Sequence, residues 1–266
     1  MMSVYLQALY AMLALGFVTW LISVFKRDVS IVDSIWSLMF LGAAVVYLWN
    51  NNAIGLREAL IFSLVLIWAL RLAIYLTWRN WGQPEDYRYQ QIRENNSPLF
   101  ALKSLVIIFT LQALLAWLVS LPLLVSLSTT HSFSLLDGLA LFLWLFGMTF
   151  ETTADLQLYR FKSRTENRGK VLDSGLWRYS RHPNYFGEFC IWWGFYLFAV
   201  SSGGWWTVLS PLIMTFLLLR FSGVALLEKD IHERRPAYRA YIARTNAFIP
   251  GKPRQPDSSP AKETGA

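Results

Sequence analysis

The densest run of residues able to do chemistry is Gly175 to Glu188, GLWRYSRHPNYFGE. Arg178, Tyr179, Arg181, His182, Asn184, Tyr185 and Glu188 bring cations, an imidazole, phenols, an amide and a carboxylate into one short segment. Pro183 suits the first turn of a helix, where its missing N–H costs nothing, and the apolar run FCIWWGFYLFAV (189–200) follows directly. The spacing predicts a basic loop that enters a membrane helix at Pro183. Asn184 and Glu188 are four apart and share a face of that helix. An ionised carboxylate inside an apolar helix costs about 2.5 kcal/mol or more, so Glu188 points to a function. A second set, Glu151, Asp155 and Lys162, also falls on one helical face. Two carboxylates followed by a basic segment suit a ligand that carries amide or hydroxyl groups beside phosphates. The basic residues from Arg160 to Arg181 would clamp those phosphates; the same charges would also meet anionic lipid in a cytoplasmic loop. Asp33, Arg71 and Arg220 complete the ionisable groups in or near apolar runs. Snorkelling and interhelical ion pairs are the structural reading of each. Their gathering toward one leaflet favours a polar cavity open to the cytoplasm.

The elements that must position these residues are long apolar runs. The chain has 266 residues, of which 55% are hydrophobic and 16% aromatic, with a mean hydropathy of +0.36. That is too apolar for an ordinary soluble domain. Spans are expected at 5–25, 31–49, 54–78, 100–127, 133–158, 183–200 and 205–227, each long enough for a bilayer core. The fold class is therefore all-α, a polytopic membrane protein with seven transmembrane helices in one domain over 1–250. The Pro- and Ser-rich tail at 251–266 reads as disordered. The first run is expected to be a membrane span and not a cleaved signal, because Lys26 and Arg27 follow it rather than precede it and no small-residue cleavage site follows. All but four of the 24 Lys and Arg lie at 26–30, 79–99, 159–182 and beyond 227. Loops 50–53, 128–132 and 201–204 have none. That alternation sets the N-terminus outside and the C-terminus in the cytoplasm. The single cysteine, Cys190, excludes an internal disulfide, and no Cys/His spacing marks a metal site. Nucleic acid is a poor partner for arginines that alternate with membrane spans. Membrane lipid and an apolar small molecule are the expected partners.

Several segments resemble the steroid 5-alpha-reductase family: FETTADLQLYRFK (150–162), SGLWRYSRHPNYFGE (174–188), LLLRFSGVALLEK (217–229) and AFIP (247–250). The likeness is greatest to its bacterial membrane-enzyme branch, the domain of unknown function 1295, to which VDSIW (32–36) and EDYRYQ (85–90) are also similar. The resemblance implies seven helices, an inner-membrane location, NADPH bound from the cytoplasmic side, and reduction of a carbon–carbon double bond conjugated to a ketone. It implies cofactor-binding roles for Asp155, Asn184, Glu188 and Arg220. Glu151 stands where that family has asparagine, and Lys162 where it has arginine. The catalytic glutamate of helix two matches Asp33, and the arginine of helix three matches Arg71. The catalytic tyrosine matches Trp68, whose indole N–H donates a hydrogen bond but cannot protonate a carbonyl. Tyr75, Tyr87 and Tyr89 are the phenols that would replace it, and Asp33 would polarise the carbonyl if burial kept it protonated. No G-x-G-x-x-G is present, so helices and loops would hold the cofactor. R-H-P-x-Y also resembles membrane methyltransferases that act on isoprenylcysteine and phospholipids with S-adenosylmethionine. A cofactor-free lipid-binding protein on the same fold is the third reading.

Overall fold

The structure, a computed structural model, describes residues 1–221, 224, 228 and 236–254. The disordered tail expected at 251–266 thus lies mostly outside the described residues, as does most of the last apolar run beyond Phe221. Among the described residues all regular structure is helical. Five helices are long and apolar enough to cross a membrane: α1 (Met2–Lys26), α2 (Ile31–Trp49), α3 (Leu56–Asn80), α5 (Phe100–Val119) and α7 (Leu135–Lys162). No more than 44% of the apolar window in any of them is buried. Phe17, Leu21, Ile22, Ile67, Ile74, Phe142 and Leu145 are among the apolar side chains left outside. Water would penalise such faces; lipid does not.

The remaining helices are α4 (Tyr87–Asn95), α6 (Leu121–Ser128), α8 (Pro183–Ser201), α9 (Leu209–Phe216) and α10 (Tyr238–Arg244). α8 has a span's length, but its first two turns carry Asn184, Tyr185 and Glu188, which lower its hydropathy. The run expected as one span at 100–127 is broken. α5 ends at Val119, Ser120 intervenes, and α6 restarts with Pro122 in its first turn. Proline has no N–H to continue the ladder and crowds the carbonyl four residues back, so the break falls there. The run from Trp205 begins as a 3-10 turn (Trp205–Val208) and continues as α9 and then as a π-helical segment (Leu217–Phe221).

The chain forms two compact units, 1–142 with 192–213, and 143–191 with 214–266. In the first, α1 packs on α2, α2 on α3, and α1 lies along α5. Phe40, Trp68, Trp192 and Phe195 form its aromatic centre, with ring centroids 4.5 to 6.5 Å apart. The end bearing the basic-free loops is closed by a buried ion cluster. Arg57 donates through Nε and Nη2 to Asp137 Oδ1 (3.1 and 2.8 Å), and through Nη2 to Ser201 Oγ and the Phe198 carbonyl (2.6 and 2.7 Å). Glu58 accepts from the Gly55 and His131 backbone N–H groups at 3.0 and 3.1 Å. Each of these charges is at most 2% exposed. Paired and hydrogen-bonded, they join three loops without leaving a naked charge in the apolar layer.

In the second unit, α7 and α8 meet at two glycines. A Cβ on Gly147 would lie 2.5 Å from the Gly187 carbonyl oxygen, and one on Gly187 would lie 2.6 Å from the Glu151 nitrogen. Only glycine admits that approach, and it sets Glu151 and Asp155 of α7 beside the first turns of α8. The loop before α8 is strapped by the C-terminal segment. Arg181 N–H donates to the Asn246 carbonyl (2.8 Å), Ser180 Oγ to the Phe248 carbonyl (2.8 Å), and Gly251 N–H to the Tyr179 carbonyl (3.0 Å). Phe248 also packs against Phe186 and Phe189. AFIP and RYSRHPN, some 65 residues apart in sequence, are two halves of one joint.

Candidate functional site

In the first unit, the site is built where the loop after α3 returns to the start of α2. Glu85 accepts the Val29 backbone N–H at 2.8 Å and holds Arg93 through two bonds of 2.9 and 2.7 Å. Asp86 caps α4 by accepting from the Arg88 N–H at 3.0 Å. These anchors place Arg88 and Tyr89 over Asp33, which stands in the first turn of α2. Tyr89 donates its phenol proton to Asp33 Oδ1 at 2.5 Å, and Arg88 Nη2 donates to Asp33 Oδ2 at 2.8 Å. Arg88 Nε also donates to Asp86 Oδ1 at 2.9 Å. The Tyr89 ring is buried with Val29, Val32, Phe100, Ile108 and Phe109, while Asp33 and Arg88 keep 20% and 16% of their side-chain surface.

Burial opposes the Arg88 charge, but Asp33 and Asp86 outweigh it and hold the guanidinium above its ordinary range. Burial first, and then Asp33, push the Tyr89 phenol well above its ordinary value, so it stays a proton-bearing donor. Burial also opposes ionisation of Asp86, yet Arg88 brings that carboxyl below its ordinary value. Asp33 is thus the acceptor in both contacts. Tyr89 and Arg88 are the donors there. Trp68 is fully buried within the aromatic centre, so its ring fills space there. Arg71 and Tyr75 are half-buried on α3, and the Tyr75 ring lies 5.8 Å from the Arg79 guanidinium.

The second unit holds the other candidates. Glu151, Asp155 and Glu188 are buried, and Asn184 Nδ2 donates to Asp155 Oδ1 at 3.2 Å. Facing helices therefore bring three carboxylates and an amide into an apolar layer, a set able to bind hydroxyl and amide groups. Among the described residues no cluster suits a metal ion. Lys162, Arg178, Tyr179 and Arg220 are exposed. Arg181 and His182 are committed within the unit. Arg181 grips Glu228 with Nε and Nη2, both at 2.7 Å, and its Nη1 donates to the Thr245 and Ile242 carbonyls at 2.5 and 3.3 Å. His182 Nε2 lies 2.9 Å from Glu228 Oε1, and its ring stacks on Tyr185 with centroids 5.5 Å apart. Burial opposes ionisation of Glu228, but Arg181 and His182 hold its carboxyl down to about 2.

Arg88, Asp86 and Glu228 escaped the sequence reading. The available signal was the packing of charge in EDYRYQ, and a carboxylate at the end of an apolar run that faces a basic loop. Arg57, Glu58 and Asp137 gave a weaker one, as isolated charges beside loops that lack Lys and Arg.

Apolar helices of membrane-crossing length, with ionisable side chains buried among them, define a polytopic helical membrane protein. More narrowly, the chain belongs to the family described as "Protein of unknown function (DUF1295)", whose pattern matches residues 19–245. It is similar to "Uncharacterized protein C594.04c" of the fission yeast Schizosaccharomyces pombe, with 29% identity over 267 residues covering 89% of this chain and 76% of that protein. No solved structure matches it.

Proposed function

We propose that the protein is a membrane-embedded reductase that uses NADPH to reduce the carbon–carbon double bond of an apolar enone. The observation that carries this reading is the Tyr89–Asp33 contact of 2.5 Å, flanked by Arg88. It supplies a buried phenol donor to a chain whose helix-three position holds Trp68 in place of a tyrosine. When bound, the nicotinamide supplies the hydride. Tyr89 and Arg88 donate to the carbonyl oxygen as enolate charge develops, and a preorganised donor in a dry site is worth about 3 kcal/mol. Asp33 orients both donors. Val29, Phe100 and Phe109 around the Tyr89 ring exclude water.

The second unit fits the cofactor in kind. Asp155 and Asn184 offer an acceptor and an amide to ribose hydroxyls or the carboxamide. Glu151 and Glu188 would repel phosphates and belong at that neutral end. Exposed Lys162, Arg178 and Arg220 suit the phosphates. Seven spans, with α8 and the helix from Trp205 as the last two, would put these cations on the cytoplasmic side of a bacterial inner membrane. The N-terminus would then lie outside.

The test is thermal stability of the purified protein in detergent with NADPH, NADH and S-adenosylmethionine side by side. A ligand at 100 times its dissociation constant adds about 2.7 kcal/mol. NADPH should stabilise the parent and stabilise Asn184→Ala and Glu188→Ala less. Stabilisation by S-adenosylmethionine alone would make the protein a methyltransferase, and stabilisation by none of the three would leave a lipid-binding role.

A further inference from the structure

We infer that the Asp33–Tyr89–Arg88 constellation is by itself an enolisation site, which removes a proton from the carbon α to a ketone and returns it without a cofactor. The inference takes its substrate class, a neutral apolar ketone, from the reading above.

Proton abstraction beside a carbonyl needs a carboxylate near the C–H bond and donors aimed at the oxygen that becomes negative. Both are in place before any substrate arrives. The two donors, Tyr89 O–H and Arg88 Nη2, now end on the two oxygens of the same carboxylate. A ketone oxygen that takes over these bonds frees Asp33 to act as base at the adjacent carbon. The C–H bond breaks and its proton passes to Asp33. Its electron pair forms the new C=C bond, and the C=O π pair moves onto oxygen, where Tyr89 and Arg88 hold it. Asp33 then returns the proton to the same carbon, or to the far end of a dienolate if the ketone is β,γ-unsaturated. The first outcome is exchange and the second is double-bond migration. Neither changes the oxidation level, so no oxidant or reductant is consumed.

Access and charge agree with this chemistry. Asp33 and Arg88 keep part of their surface open while the Tyr89 ring is sealed in the apolar cluster, so a carbonyl can reach the carboxylate without the phenol being bathed in water. Asp33 and Asp86 are offset by Arg88 and by Arg79, whose charge acts on Asp86, so the site carries no net charge and suits a neutral ketone. The Arg88 guanidinium, tied to Asp86 as well as Asp33, is fixed in direction when the substrate displaces one of its bonds.

The experiment uses the full chain in detergent and deuterated buffer, with a fused-ring β,γ-unsaturated ketone and no nucleotide. Deuterium at the α-carbon is read by mass spectrometry, and the conjugated enone by its ultraviolet absorbance. The parent should give both well above detergent alone. Tyr89→Phe keeps the packed ring and removes only the oxygen, and should be about 100-fold slower. Asp33→Asn should fall to background, with partial recovery in Asp33→Glu. Background rates in the parent would overturn the inference, as would rates in Tyr89→Phe and Asp33→Asn equal to the parent's. Reduction of an enone by NADPH without exchange would sink the enolisation site and leave the reductase reading standing. Exchange without reduction would do the reverse.

Discussion

Glu228→Gln separates two roles for Arg181, a phosphate ligand or the clasp that closes the second unit. Glu228 receives Arg181 through two bonds of 2.7 Å and His182 through one of 2.9 Å. Glutamine keeps nearly the same volume and one acceptor oxygen, but turns an NH2 toward donors that need a carboxylate. The Arg181 guanidinium, in a residue 8% exposed, keeps its carbonyl partners at Thr245 and Ile242 but loses the paired charge and at least one of its two bonds to residue 228. Breaking a buried pair from one side costs about 3 kcal/mol or more. At this chain length that lowers the melting temperature by about 6 to 10 °C. The assay is thermal unfolding of parent, Glu228→Gln, Arg181→Met and the double variant, in one detergent without ligand. The double variant should lose clearly less than the sum of the singles. Acid supplies a second reading. Glu228 sits at about 2 in the folded protein against an ordinary 4.5. Its stabilisation is therefore complete above 4.5 and is lost as pH falls from there toward 2. The parent should show that loss, and Glu228→Gln should lack this component of it. A melting shift under about 2 °C, with additive singles and a fall in NADPH affinity only, would refute the clasp.

Asp155→Asn should weaken NADPH binding by at least about 1.5 kcal/mol, whereas Glu151→Asn should be tolerated; equal small losses measured side by side would mean that this face of α7 only packs. Gly187→Ala places a methyl 2.6 Å from the Glu151 backbone nitrogen and should destabilise the protein by about 2 kcal/mol, against a near-neutral Gly42→Ala, whose Cβ would meet nothing within 4 Å. A topology reporter fused after Pro250 should be active only in the cytoplasm; activity outside would remove the cytoplasmic cofactor site.

Much of the scaffold is written locally. A run such as residues 5–25 is helical and membrane-seeking whatever its neighbours do, because apolar transfer and backbone pairing are summed along the segment itself. The start of α8 at Pro183 follows from its missing N–H, and the shared face of Asn184 and Glu188 follows from the helical period. The break at Ser120 is local too; Pro122 announced it, and hydropathy alone concealed it. The pairings are of another kind. Asp33 meets Tyr89 across 56 positions, Arg181 meets Glu228 across 47, and Arg57 meets Asp137 across 80. Nothing in a segment's composition sets which distant charge neutralises it; that depends on the path of the chain and on how closely the helices approach. Gly147 and Gly187 read as two small residues in sequence, and become a point of contact only once α7 and α8 lie side by side. The residue types that could do chemistry were therefore visible from the chain alone. Which of them donate, which accept and which are committed to holding the unit together was decided by tertiary structure, because a hydrogen bond depends on a separation of a few tenths of an ångström that no local pattern encodes.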